Sequence, residues 1–110
     1  MEKIKIEEFG KLDLRVATIE EVEPHPNADR LYVLKIKVGE ERKQIVAGVR
    51  KFYGIDELRG RKIIVVNNLE PSVIRGVESN GMLLAASNGD KSILSLVGPD
   101  RQIDDGNKVG

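Results

Sequence analysis

Leu31-Tyr32-Val33-Leu34-Lys35-Ile36-Lys37-Val38-Gly39-Glu40-Glu41-Arg42-Lys43-Gln44-Ile45-Val46-Ala47-Gly48-Val49 is the most regularly patterned stretch of the chain. Tyr32, Leu34, Ile36 and Val38 recur at every second position, with Lys35 and Lys37 between them. Strand side chains alternate between faces, so this period of two reads as a strand with one apolar and one cationic side. Gly39-Glu40-Glu41 reads as a hairpin turn, and Ile45, Ala47 and Val49 resume the alternation on the way back.

Upstream, Leu12, Leu14 and Val16 keep one parity and Ala17 and Ile19 take the other. A switch of parity inside a strand-like run predicts a bulge or sharp bend. Glu23–Arg30, with two prolines, Asn and Asp, reads as a loop. Downstream, Phe52, Ile55 and Leu58 at spacing three predict one or two helical turns over 50–58, ended near Gly60. Lys62–Leu69, centred on Ile63-Ile64-Val65-Val66, reads as a buried strand. Residues 70–81 read as a loop, and Met82–Ser87 and Ser92–Val97 as two strands joined by a type I′ turn at Asn88-Gly89. The last ten residues read as a polar tail. Short strands with one small helix after the third predict a single all-β domain over 1–110, a small barrel: the five-stranded OB-fold puts its helix between strands three and four and would carry additional terminal segments here, with an SH3-like barrel or a β-sandwich as the alternatives.

The composition limits the chemistry. Eighteen Lys+Arg balance eighteen Asp+Glu, and there is no Cys. Thiolate catalysis, disulfides and Cys-based zinc sites are therefore excluded. The longest apolar runs, Ile63–Val66 and Met82–Ala86, fall far short of the ~20 residues that span a bilayer. The expectation is a cytoplasmic protein without a membrane partner. His25 is the single histidine and lies between two prolines, where it reads as a loop residue hydrogen-bonded to backbone. G-x-S-x-G, G-x-x-x-x-G-K-[ST] and G-x-G-x-x-G are all absent. The acidic pairs Glu7-Glu8, Glu20-Glu21, Glu40-Glu41 and Asp104-Asp105 read as solvated surface. No catalytic residue, metal or cofactor is expected.

Binding remains. Residues 35–75 hold ten basic and five acidic side chains, whereas 1–34 hold five and eight, and 76–110 three and five. A basic middle predicts a positive face on a neutral protein. The ligand side of an OB barrel uses strands two and three, which bring Lys35, Lys37, Arg42 and Lys43 to meet phosphates. Asn68, Arg75, Ser79 and Asn80 complete a polar surface beside them. Phe9, Tyr32, Phe52 and Tyr53 are the whole aromatic complement. So few rings argue against a general single-strand binder and for a structured RNA read by backbone and shape.

Four stretches in order resemble one family: Asp13-Leu14-Arg15-Val16-Ala17-x-Ile19; His25-Pro26-Asn27-Ala28-Asp29-Arg30-Leu31; Asn68-Leu69-Glu70-Pro71; and Arg75-Gly76-Val77-Glu78-Ser79-Asn80-Gly81-Met82-Leu83-Leu84-Ala85-Ala86. This is the tRNA-binding domain found at the C-terminus of many methionyl-tRNA synthetases, in free-standing tRNA-binding proteins and in the endothelial monocyte-activating polypeptide II group. The resemblance implies an OB-fold that binds tRNA with little sequence preference. It also implies a non-catalytic accessory to a methionyl-tRNA synthetase catalytic chain, and in many members a homodimer. Ser79, Gly81 and Met82 match the motif tied to the tRNA surface. Many members have Gly at the position of Ala17 and Ser at that of Ala47, and are more basic before Gly76. Export-associated relatives described as binding peptides share the domain, so a peptide chaperone of the same fold is the rival expectation.

Overall fold

The structure, a computed structural model, describes residues 1–110. Its centre is β1 (Leu14–Pro24), flanked by β2 (Tyr32–Val38) and β4 (Lys62–Val66). β2 pairs with β3 (Glu41–Ala47) in unbroken antiparallel register from Tyr32↔Ala47 to Val38↔Glu41. β7 (Met82–Leu83) adds to β4, giving the order β3-β2-β1-β4-β7. α2 (Ile55–Leu58) lies between β3 and β4, where the sequence places it. α1 (Ile6–Phe9) is a single exposed turn at the N-terminus. No helix is long and apolar enough to cross a membrane.

Two-residue alternation builds the barrel interior. Tyr32, Leu34, Ile36 and Val38 of β2 meet Ile45, Ala47 and Val49, with Ala17, Ile19, Ile63 and Val65 closing the same cluster. All are buried, and each buried Val, Leu or Ile contributes ~1.5–3 kcal/mol. The barrel mouth between β3 and the chain before β7 is closed by the Asn80 N–H to the Gln44 carbonyl (2.8 Å) and the Val46 N–H to Ser79 Oγ (2.9 Å).

The parity switch in the first strand has a different cause from a bulge at that point. β1 pairs with β4 without interruption from Leu14↔Val66 to Thr18↔Lys62. Both faces of β1 are covered here. Leu14 and Val16 join Ile64 and Val66 in a second cluster, while Ala17 and Ile19 face the main core. The irregularity lies between Ile19 and Glu21, in the pairing with β2. The extra residue there returns Val22 to the interior.

Three further expectations are corrected. Residues 70–81 contain a hairpin, β5 (Ser72–Ile74) paired with β6 (Val77–Ser79). Its turn residues Arg75 (φ 52°) and Gly76 (φ 88°) both lie in the left-handed region, as a type I′ turn demands. Asn88-Gly89 is not such a turn: neither residue has positive φ. Instead β8 (Ala85–Ser87) and β9 (Leu94–Leu96) are joined by residues 88–93, with Asn88 Oδ1 accepting the Ile93 N–H at 2.9 Å. The polar tail also docks. β10 (Lys108–Val109) pairs with β1, and Gly106 approaches Gly39 so closely that an added Cβ would sit 2.7 Å from the Gly39 Cα.

Candidate nucleic-acid interface

Lys35 and Lys37 on β2 face Gln44 and Arg42 on β3 in register, so these four side chains share the outer side of the ladder. Lys35 Nζ donates to Gln44 Oε1, and Gln44 Nε2 donates to the Glu78 carbonyl at 2.9 Å. The charges are partly answered from within. Glu20, carried outward at the β1 irregularity, holds Arg42 Nε at 2.9 Å, and Asp105 lies 3.8 Å from Lys37.

Lys43 does not join this face. It pairs with Ile36, on the interior parity of β3, and its side chain is only 7% exposed. Its ammonium reaches out of the barrel end to the Asn67 carbonyl (3.0 Å) and Oδ1 (2.9 Å), with Glu41 at 3.5 Å. It ties β3 to the residue after β4, its ammonium engaged by the chain's own oxygens. Nothing in the sequence marked Asn67 as its partner.

Asn68 and Ser79 are also structural. Asn68 Oδ1 accepts the Asp13 N–H at 2.8 Å and its Nδ2 donates to the Lys11 carbonyl at 2.7 Å, fastening the segment before β1. Ser79 is buried and donates to the Gly81 carbonyl at 3.2 Å while accepting from Val46. Asn80 forms the mouth contact through its backbone, and its side chain has no hydrogen-bond partner. Met82 is half exposed at 49% beside it.

Arg75 stands at the tip of the β5–β6 hairpin. Its Nη2 donates to the Asn27 carbonyl at 3.1 Å, and its own carbonyl accepts from Asn27 Nδ2 at 3.0 Å. His25 completes the joint. Its Nδ1 accepts the Asn27 N–H at 2.9 Å, and its Nε2 lies 2.9 Å from the Ile74 carbonyl. A backbone N–H can only donate and a carbonyl can only accept, so the proton sits on Nε2 and the ring is neutral. Both nitrogens are engaged, which fixes His25 as the hydrogen-bonded loop residue the sequence suggested. Two of the four sequence motifs are thus one structural unit, the His25 loop clamped onto the Arg75 hairpin.

Comparison with known proteins gives this unit its context. Residues 14–108 match the family described as "Putative tRNA binding domain". The chain belongs to the tRNA-binding domain family. It is 50% identical over 109 residues to the methionine–tRNA ligase of Thermococcus kodakarensis, covering 99% of this chain and 14% of that protein. The Pyrococcus horikoshii ligase matches equally, at 50% identity over 99% of this chain and 15% of its own length. The chain therefore spans about a seventh of the curated relatives it matches. Among solved structures, a methionyl-tRNA synthetase-related protein of Pyrococcus horikoshii superimposes with TM-score 0.93 at 32% identity, each chain wholly covered. The chaperone CsaA of Bacillus anthracis superimposes with TM-score 0.89 at 28% identity, over 99% of this chain and all of that one. The OB-type all-β architecture is common to them.

In this tRNA-binding domain the Asp13–Arg15 pair of the first motif is internal bracing. Arg15 Nε meets Asp13 Oδ1 at 2.7 Å, and Arg15 Nη1 donates to the Gly106 carbonyl at 3.2 Å. Partial burial opposes the Asp13 charge, but the Arg15 and Asn67 hydrogen bonds and the positive charges of Arg15 and Lys108 outweigh it. They hold the carboxyl below its ordinary value. Lys35, Lys37, Arg42, Asn68, Arg75, Asn80 and Met82 are at least partly exposed, whereas Ser79 and the Lys43 side chain are buried and Asn68 is engaged by the chain's own backbone.

Proposed function

We propose that this domain binds tRNA by shape and backbone charge, largely without sequence preference, as a non-catalytic accessory to a methionyl-tRNA synthetase catalytic chain in the cytoplasm. The observation that carries this reading is the whole-length likeness, at 50% identity, to a segment of methionine–tRNA ligases. Arg75 is the residue most exposed to test. It projects from a hairpin tip held by the His25 loop, so a rigid mount presents its charge. Lys35, Lys37 and Arg42 supply a second set of cations on one strand face.

Anisotropy of labelled bulk tRNA across a salt series tests the reading, with single-stranded RNA and unfolded polypeptide as competitors. Arg75→Ala is expected to weaken all tRNA species alike and to lower the salt slope by about 0.9 or less. Loss for one isoacceptor alone would mean base-specific readout. The likeness to CsaA supports a second reading, a peptide chaperone. Displacement by polypeptide with no tRNA binding at low salt would favour it.

We further propose a homodimer built from the chain ends. Ile4, Ile6 and Phe9 in and around α1, and Val97 and Ile103 near the C-terminus, are exposed. Leu94 and Leu96 of β9 pack against the core and are not part of this surface. A clean monomer in sedimentation at micromolar concentration would refute the dimer.

A further inference from the structure

A groove of about 450 Å³ lies at the end of the β2–β3 ladder opposite the Gly39 turn. Its volume falls within the ~300–1,000 Å³ typical of small-ligand sites. Arg30 enters it from before β2, Lys51 and Phe52 from after β3, and Lys91 from the β8–β9 loop. Unlike Arg42, Lys37 and Lys43, these three cations have no ion-pair partner and no side-chain hydrogen bond. Asp90 is the single acid in the lining, and its Oδ1 accepts the Ser92 N–H at 3.0 Å.

An aromatic ring marks the groove as more than charged surface. Phe52 is half-buried yet packs against neither hydrophobic cluster, unlike Tyr32 and Tyr53. Tyr53 is engaged elsewhere: its hydroxyl accepts the Leu96 N–H at 3.1 Å, and Arg61 lies 5.1 Å over its ring. Phe52 is thus a ring bordering a cationic groove without a core role. Gly48, beside it, needs no glycine for packing or backbone. An added Cβ would meet only Leu31 Cδ2, at an ordinary 3.7 Å, and φ there is not positive. Gly48 lines the groove, so a methyl added there probes the groove without straining the backbone.

We propose that this groove is a nucleotide site that takes an unpaired nucleotide of the bound RNA, its base against Phe52 and its phosphates among Arg30, Lys51 and Lys91. The inference rests on the tRNA-binding reading and adds to it a second contact. Cations around an aromatic face are the combination that captures single-stranded nucleotides. At ~3.3 Å per strand residue, the groove lies ~20 Å along β2 from the Lys37–Arg42 pair, so one folded RNA could touch both.

The test measures anisotropy of labelled bulk tRNA, across salt, and of a labelled unfolded polypeptide, on wild type, Phe52→Leu, Gly48→Ala and Lys51→Glu, with melting temperatures recorded for each. Phe52→Leu is expected to weaken binding about tenfold with the salt slope unchanged, because stacking carries no counterion release. Gly48→Ala is expected to lose several-fold affinity at an unchanged melting temperature, which keeps the test valid if Phe52→Leu perturbs the fold. Lys51→Glu is expected to lower the salt slope by about 0.9 or more. Wild-type affinity in both Phe52→Leu and Gly48→Ala overturns the site and leaves the tRNA reading standing. Absence of tRNA binding by the wild type overturns both. Loss of unfolded-polypeptide binding in these variants, with tRNA binding kept, assigns the groove to peptide and overturns the nucleotide site.

Discussion

The two ends of the β2–β3 ladder carry similar cations in opposite states. At the Gly39 end, Lys37, Arg42 and Lys43 are each tied to this chain's own oxygens, through Asp105, Glu20 and Asn67 respectively. At the other end, Arg30, Lys51 and Lys91 face a groove without partners. Counting positive residues weights the first end, because 35–43 is where they concentrate in sequence. A basic strand face is therefore not by itself a binding face. An exposed pair is worth ~0–1 kcal/mol to stability, yet it lowers the charge available to a phosphate.

The comparison breaks most visibly at the docked tail. Gly106→Ala would place a methyl group against the Gly39 backbone at a residue whose φ is +88°. It is expected to cost about 2–3 kcal/mol in denaturant unfolding. With the tail displaced, Asp105 would leave Lys37, Thr18 Oγ1 and the Gly39 N–H. An unchanged midpoint would mean that the Gly39 end is not braced by the tail.

Lys43→Met tests whether that end is structural or a ligand surface. Removing the buried ammonium strands two oxygens of Asn67 and is expected to cost about 1–3 kcal/mol, read as a lower melting temperature. Bulk tRNA affinity of the folded variant should be unchanged. A fall in salt slope at unchanged stability would return Lys43 to the interface.

Glu20→Gln sharpens the contrast by releasing Arg42 from its pair. The expected result is about twofold tighter tRNA binding at low salt, with stability altered by under ~1 kcal/mol. Weaker binding would show that Glu20 orients Arg42 rather than competing for it.

The smallest effect concerns Asp13. Its carboxyl titrates lower in the folded chain than in the unfolded one, so its contribution is present above the unfolded value. That contribution is lost as pH falls through the folded one. Acid unfolding of Asp13→Asn should therefore depend less steeply on pH than wild type over that interval. Identical pH profiles would remove the Asp13–Arg15 brace from the account.

Much of the frame was legible because it depends on neighbours along the chain. The alternation in β2 and β3, the buried run in β4 and the short α2 were all readable. The β5–β6 hairpin escaped because Arg75 takes a left-handed conformation that its residue type does not advertise. Its support comes from Asn27, 48 positions away. Asn88-Gly89 carried the stronger turn signal and was overridden, since Asn88 spends its side chain on Ile93 and Ser92. Of the proposed interface, Arg75 and the Lys35–Lys37–Arg42 face were readable. Phe52, Lys51 and Lys91 were not, because they come from loops with no shared pattern.

The period-two strands, the aliphatic core and the ordered motifs that assign the chain to the tRNA-binding domain family are all written in the order of residues. Those signals are local and survive in any conformation. Which charges stay free was decided only by tertiary structure. The irregularity after Ile19 brings Glu20 to Arg42, tail docking brings Asp105 to Lys37, and the end of β4 brings Asn67 to Lys43. Each is a contact between residues distant in sequence, and the energy of a charge depends on what lies within a few ångströms of it, not on its neighbours along the chain.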